Sequence, residues 1–139
     1  MLKDEEKELL EYFDEIKSFP VIVEGKKDKA VLKKLGFKKI IILNKKSLYE
    51  SVCKYEEEKI IILTDFDKKG EELAKKLELF LRKSDRNARN KLRMLFRKNN
   101  LNTIEGINKV IKKVMIYGEA CSGNCKIYYL RKIRSKRDS

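Results

Sequence analysis

Three short runs of β-branched residues stand out against a charged chain: Val21-Ile22-Val23, Ile40-Ile41-Ile42-Leu43 and Ile60-Ile61-Ile62-Leu63. None alternates apolar with polar positions. Each therefore predicts a strand covered on both faces, as in a parallel sheet with helices above and below. Ahead of them, Leu9, Leu10, Phe13 and Ile16 recur at helical spacing with acids on the other face. This predicts an amphipathic helix over 2–17, which Pro20 prevents from continuing. Further helices are predicted over 28–35, closed by Gly36, over 47–57 and over 70–81. The order β-α-β-α-β-α with short connections demands right-handed crossovers, and an open sheet of that kind presents its crevice at the carboxyl ends of its strands.

Beyond residue 83 the pattern changes. Arg82, Arg86, Arg89, Arg93 and Arg97 recur at intervals of four, three, four and four, which aligns them along one helix face, while Ala88, Leu92, Leu95 and Phe96 line the other. Asn99-Asn100 ends this helix, Thr103 is suited to cap another running to about Val114, and Met115-Ile116-Tyr117 predicts a fourth strand. The segment 131–139 holds five positive charges against one negative and reads as a flexible basic extension. With 139 residues, the expectation is one α/β domain of Rossmann-like type. Its central parallel sheet should have about four strands flanked by helices, with a core over 19–118.

Charge narrows the partners. Lys and Arg number 35 against 22 Asp and Glu, a formal net charge of +13, and such an excess attracts polyanions, nucleic acid first among them. A surface rich in Lys and Glu over an Ile-rich core also suits a heat-adapted protein, although ion-pair networks alone do not explain the positive excess. No apolar stretch approaches the roughly 18 residues of a membrane span, and the first residues are acidic rather than signal-like, so a cytoplasmic protein without a membrane partner is expected. His is absent, which excludes Ser-His-Asp and Cys-His catalysis and His-ligated zinc. The three cysteines, Cys53, Cys121 and Cys125, suggest no disulfide framework and fall short of the four soft ligands of a closed zinc site.

The candidate chemistry lies at strand ends. Glu24 directly follows the first apolar run and precedes Gly25; Asp65 and Asp67 follow the third, separated by Phe66, a spacing that in extended chain sends both carboxylates to one side. Three carboxylates gathered there repel one another unless a hard divalent cation neutralises them, and oxygen ligands suit Mg²⁺, with Mn²⁺ as a substitute. Mg²⁺ usually keeps several waters and takes one or two carboxylates plus substrate phosphate, so an open acidic cluster implies a phosphate-bearing substrate.

Glu24-Gly25-Lys26-Lys27-Asp28 after a first strand, then Thr64-Asp65-Phe66-Asp67-Lys68-Lys69-Gly70-Glu71-Glu72 after a third, resembles the two signature motifs of the Toprim family. That family includes primases, type IA and type II topoisomerases, overcoming-lysogenization-defect nucleases, the ribonuclease that matures 5S ribosomal RNA, and small stand-alone archaeal-type proteins. The resemblance covers roughly 19–81, and the Lys-rich composition fits the stand-alone branch best. It implies that Glu24 is an acid/base residue and metal ligand, that Asp65 and Asp67 bind Mg²⁺, and that Lys26 neutralises phosphate. Asp28 fits either the first motif or a helix cap. No zinc-binding, helicase or winged-helix tyrosine domain is recognisable, which argues against primase and topoisomerase activity.

Two functions follow as expectations. The first is Mg²⁺-dependent phosphodiester chemistry on nucleic acid, as a nuclease or phosphotransferase. Structured RNA is slightly favoured over DNA, and Arg82, Arg86, Arg89, Arg93 and Arg97 contact phosphates. The alternative is a non-catalytic module that uses Mg²⁺ to hold nucleic acid within a larger processing complex.

Overall fold

The structure, a computed structural model, describes residues 2–43, 48–55 and 58–118, with the backbone alone over 115–118. The expected basic extension and the Cys121–Cys125 pair lie outside the described residues.

Helix α1 (Asp4–Ile16) buries Leu9, Leu10, Phe13 and Ile16, the stripe its periodicity predicts. Strand β1 (Val21–Val23) follows directly, and its three residues are all 0% exposed, a burial that contributes roughly 1.5–3 kcal/mol for each side chain. Helix α2 (Lys26–Lys34) starts two residues earlier than the sequence suggests. The Asp28 carboxylate, in its first turn, accepts the Gly25 N–H at 3.3 Å, so Asp28 serves the helix start from inside the helix. The helix ends at Gly36, whose φ of +97° is left-handed backbone that glycine adopts without strain.

After β2 (Ile40–Ile42) come α3 (Leu48–Lys54), β3 (Ile61–Ile62) and α4 (Lys68–Phe80). Helix α5 (Arg86–Lys98) ends where Asn99-Asn100 predicts, with Asn100 at φ +55°; a 3₁₀ turn (Glu105–Ile107) then leads into α6 (Asn108–Gly118). The sheet is parallel throughout, in the order β2-β1-β3. Successive strand residues serve opposite faces. Val21, Val23, Ile42, Ile61 and Leu63 join the larger core with α1, α2, α5 and α6, while Ile22, Ile41, Ile60 and Ile62 meet Ala74 and Leu77 of α4. This two-sided burial is why the strands read as unbroken apolar runs.

Among the described residues the sheet has three strands, not about four. Met115-Ile116-Tyr117 continues α6, whose Val110, Ile111 and Val114 are already committed to the core at helical spacing. Beyond β3, the described residues form a one-residue parallel bridge at Ser84: the Ile60 N–H donates to Lys83 O at 2.7 Å and the Asp85 N–H to Ile60 O at 2.9 Å. Further along that edge, the carbonyls of Ile62 and Thr64 accept from the Arg89 guanidinium at 2.9 and 3.1 Å. A side chain thus supplies donors where a neighbouring strand would have brought backbone N–H groups.

Candidate metal and nucleic-acid site

Strands β1 and β3 are neighbours, yet the helices that follow them pack on opposite faces, α2 with the larger core and α4 with the smaller. Such a divergence opens a crevice at the strand carboxyl ends. Glu24 and Asp65 stand there. The Glu24 Oε2 accepts the Asp65 backbone N–H at 2.9 Å, which ties the two strand ends together through the side chain of interest. An open cleft of about 500 Å³ lies over them, lined also by Lys26, Lys27, Asp28 and, from the far side, Thr103 and Glu105.

The loop carrying Asp65 is held from four directions. Its Oδ1 accepts the Ile104 N–H at 2.9 Å, and the next N–H, of Phe66, donates to Asn102 O at 2.7 Å, so the turn before α6 is docked onto it. Asp67 caps α4, accepting the Gly70 N–H at 2.7 Å. The buried Thr64 hydroxyl donates to Gly70 O at 2.8 Å. Beneath the loop the Arg89 guanidinium donates to Asp65 O at 3.3 Å and pairs with Glu71 at 2.6 Å, while Phe66 lies 4.5 Å from its centre.

Burial pushes the Asp65 carboxyl up to about 6; the Ile104 N–H opposes this, and the negative charges of Glu24, Asp28 and Asp67 add to it. Asp28 is raised as well, by burial first and then by Glu24 and Glu105 against the Gly25 hydrogen bond. The region is one where negative charge is costly and a cation is welcome. Among the described residues no three carboxylates come together to hold a metal ion, so the expected cluster of Glu24, Asp65 and Asp67 reduces to the pair Glu24 and Asp65. Two strand-end carboxylates in an open, oxygen-lined cleft with lysines at its rim fit Mg²⁺, which keeps waters and shares phosphate ligands. Asp67 does not line the cleft but lies near enough for its charge to act on Asp65.

A pH test follows. The folded Asp65 value exceeds that of an unfolded aspartate, about 3.9. Without metal, the fold is therefore penalised as pH rises from about 4 to 6, and fully above 6. Allowing for the solvent that reaches the group, the cost is roughly 1–2 kcal/mol. Asp65→Asn keeps an acceptor for Ile104 and removes the charge. Thermal unfolding in chelator should find it more stable than the parent at pH 7 by about 1 kcal/mol, with no difference at pH 4. A less stable variant at pH 7 would rule out the charge as a burden.

The arginines part company. Arg89 is 1% exposed and belongs to the core, and Arg93 folds back onto Glu71, so neither lies on an open phosphate-binding face. The hydrogen bonds and charges of Arg93 and Arg89 hold the Glu71 carboxyl below its usual range although burial alone would raise it. Arg82 precedes α5 and is exposed; Arg86 is exposed with Glu78 at 3.6 Å; Arg97 is exposed. The sequence carried a sign of this split. Arg89 stands three residues before Leu92 and seven before Phe96, which puts it on the apolar stripe. Thr103 and Glu105 escape sequence reasoning because they reach the cleft through backbone contacts that leave no local pattern.

Comparison with known proteins bears on the family and the fold. The Toprim domain family model matches residues 19–99, more than half of the chain. The chain belongs to the Toprim family. Relatives of this Toprim protein include a UPF0292 protein of Pyrococcus horikoshii, 41% identical over 93 residues that span 61% of this chain and 70% of the relative. A UPF0292 protein of Thermococcus sibiricus is 37% identical over 108 residues, 70% of this chain and 84% of the relative. A solved structure of a protein from Aquifex aeolicus is 32% identical and superposes with a TM-score of 0.60, covering 72% of this chain and 95% of that one. Membership in the Toprim family carries a metal-dependent, nucleic-acid-related function in general. No described helix is long and apolar enough to cross a membrane.

Proposed function

We propose that this Toprim protein carries out Mg²⁺-dependent phosphodiester chemistry on nucleic acid, with structured RNA slightly favoured over DNA as substrate. The observation that supports it best is the pairing of Glu24 with Asp65 across the β1–β3 crevice, 2.9 Å between carboxylate and backbone N–H, under an open cleft with Lys26 and Lys27 at its rim. Asp65 and Glu24, the strand-end carboxylates that line the cleft, are the residues that would hold the metal, while Asp67, which caps α4, contributes charge from nearby. When bound, Mg²⁺ supplies charge stabilisation at non-bridging phosphate oxygens. Glu24 handles the proton of the attacking or leaving oxygen, and Lys26 offsets phosphate charge near the cleft. The +13 net charge, with Arg86 and Arg97 exposed, draws the polyanion to the surface.

The test is cleavage of end-labelled structured RNA, single-stranded DNA and supercoiled plasmid, in Mg²⁺, in Mn²⁺ and in chelator, by the parent and by Glu24→Gln. The glutamine retains an oxygen to accept the Asp65 N–H, so the loop stays in place. Turnover should fall by about 100-fold or more while binding persists. Salt-sensitive binding with no cutting under any condition would instead identify a non-catalytic Mg²⁺-assisted module.

A further inference from the structure

At the opposite end of β3 from Asp65, beside Ile60, lies a second hollow of about 450 Å³. Its walls are Tyr49 of α3 and Phe80 at the end of α4, whose rings meet edge to face at 6.5 Å, with Tyr55 deeper in. Tyr49 is 69% and Phe80 49% exposed. Aromatic rings grouped at a surface, unlike scattered exposed apolar residues, mark a binding face. The rim is cationic: Arg82 and Lys83 border the hollow and are exposed, and Lys54 stands 5.6 Å from the Tyr55 ring centre. Among the described residues the acid lining it is Glu58, which Lys39 engages at 2.6 Å.

The occupant must present a flat apolar face beside negative charge. A second copy of this chain, paired across a two-fold axis, would bring two such cationic rims together in a molecule of net charge +13, which opposes self-association. A single-stranded nucleic acid meets both demands, because an unpaired base stacks on an aromatic ring while its neighbouring phosphates take the arginine and lysine. A duplex, with its bases stacked inside, offers no free face. We infer that the Tyr49–Phe80 hollow with Arg82 and Lys83 is a second nucleic-acid site that stacks an unpaired base and grips the adjoining backbone, apart from the Glu24–Asp65 cleft. It gives Arg82 a role that α5 does not, and it rests on the reading that the partner of this protein is nucleic acid.

The experiment is fluorescence anisotropy with labelled 12-nucleotide single-stranded RNA and DNA in chelator, which takes metal-dependent contacts at the cleft out of play. The parent should bind both strands without metal. Tyr49→Ala and Phe80→Ala should each weaken binding about tenfold with little change in salt dependence. Arg82→Ala with Lys83→Ala should make log affinity against log salt shallower by about 0.7 for each charge removed. Parental affinity in both aromatic variants would overturn the stacking site and leave the proposed function standing. The same holds if the parent cuts or binds duplexes in Mg²⁺ but ignores single strands. If the parent binds no nucleic acid in any form, the functional reading fails and this one with it. Sedimentation equilibrium showing a dimer that Phe80→Ala dissolves would assign the face to a second copy and overturn the inference.

Discussion

Replacing Arg89 with alanine should cost about 3–5 kcal/mol of folding stability, far more than any other arginine on or beside α5. Its guanidinium, 1% exposed, serves the carbonyls of Ile62, Thr64 and Asp65 and the carboxylate of Glu71 at once. Removing it leaves three edge carbonyls without a donor, each worth about 1–3 kcal/mol if water does not reach it, and opens a void beneath Phe66. Glu71 itself is spared the worst, since Arg93 still holds it. Burial lowers the Arg89 pKa, and the Glu71 hydrogen bond and charge counter that. Arg89→Lys should recover only part of the loss, because an ammonium cannot span the same fork. Arg93→Ala, at the partly exposed end of the cluster, should cost about 1 kcal/mol or less. Urea unfolding compares the two directly, and equal midpoints would refute the role given to Arg89.

That contrast also marks how far the sequence could be read. The apolar runs at 21–23, 40–43 and 60–63 announced buried parallel strands because nothing polar interrupts them, and a strand with helices on both faces has no polar side to show. Glu24 and Asp65 were legible for the same reason: each is the first charged residue after such a run, so the chain itself delivers them to the strand end. Helix α5 is legible as a helix but not as a surface. Five arginines at helical spacing look alike in sequence, yet the helix must turn one side to the sheet, and the residue in register with Leu92 and Phe96 goes inward whatever its charge. What makes burial tolerable is a ring of carbonyls at the end of β3, a long-range fact with no local signature. Likewise Met115-Ile116-Tyr117 has strand-like composition, but the preceding helix already had its buried face in phase and simply ran on. Asp28 fits motif and cap equally well in sequence; in the structure Gly25 is the cap, the Asp28 carboxylate accepts its N–H from the first turn, and Asp28 borders the cleft.

Gly70→Ala should cost roughly 3 kcal/mol or more and take metal affinity with it. Ordinarily alanine strengthens a helix interior by about 1 kcal/mol over glycine, and Gly70 lies inside the first turn of α4. Here that gain is overwhelmed. A Cβ at this position would sit 1.9 Å from the Asp65 carbonyl oxygen and 2.5 Å from its carbon. Both are backbone atoms, so no rotamer change relieves the clash, and the whole Asp65–Asp67 turn must move off the helix. The same movement strains the ties that fix the loop: the Thr64 hydroxyl on Gly70 O, the Gly70 N–H on Asp67, the Asp65 N–H on Glu24, the Ile104 N–H on Asp65 and the Arg89 contact beneath. The glycine is required for close approach and not for a special backbone angle, which gives the prediction a sharp control. Gly25, where a Cβ would meet nothing within 4 Å, should accept alanine with little effect on stability. Differential scanning calorimetry of the two variants with and without Mg²⁺ decides the point. Gly70→Ala should melt lower and lose its Mg²⁺-induced stabilisation, Gly25→Ala should keep both, and a Gly70→Ala protein that melts with the parent would show that the loop can yield at no cost.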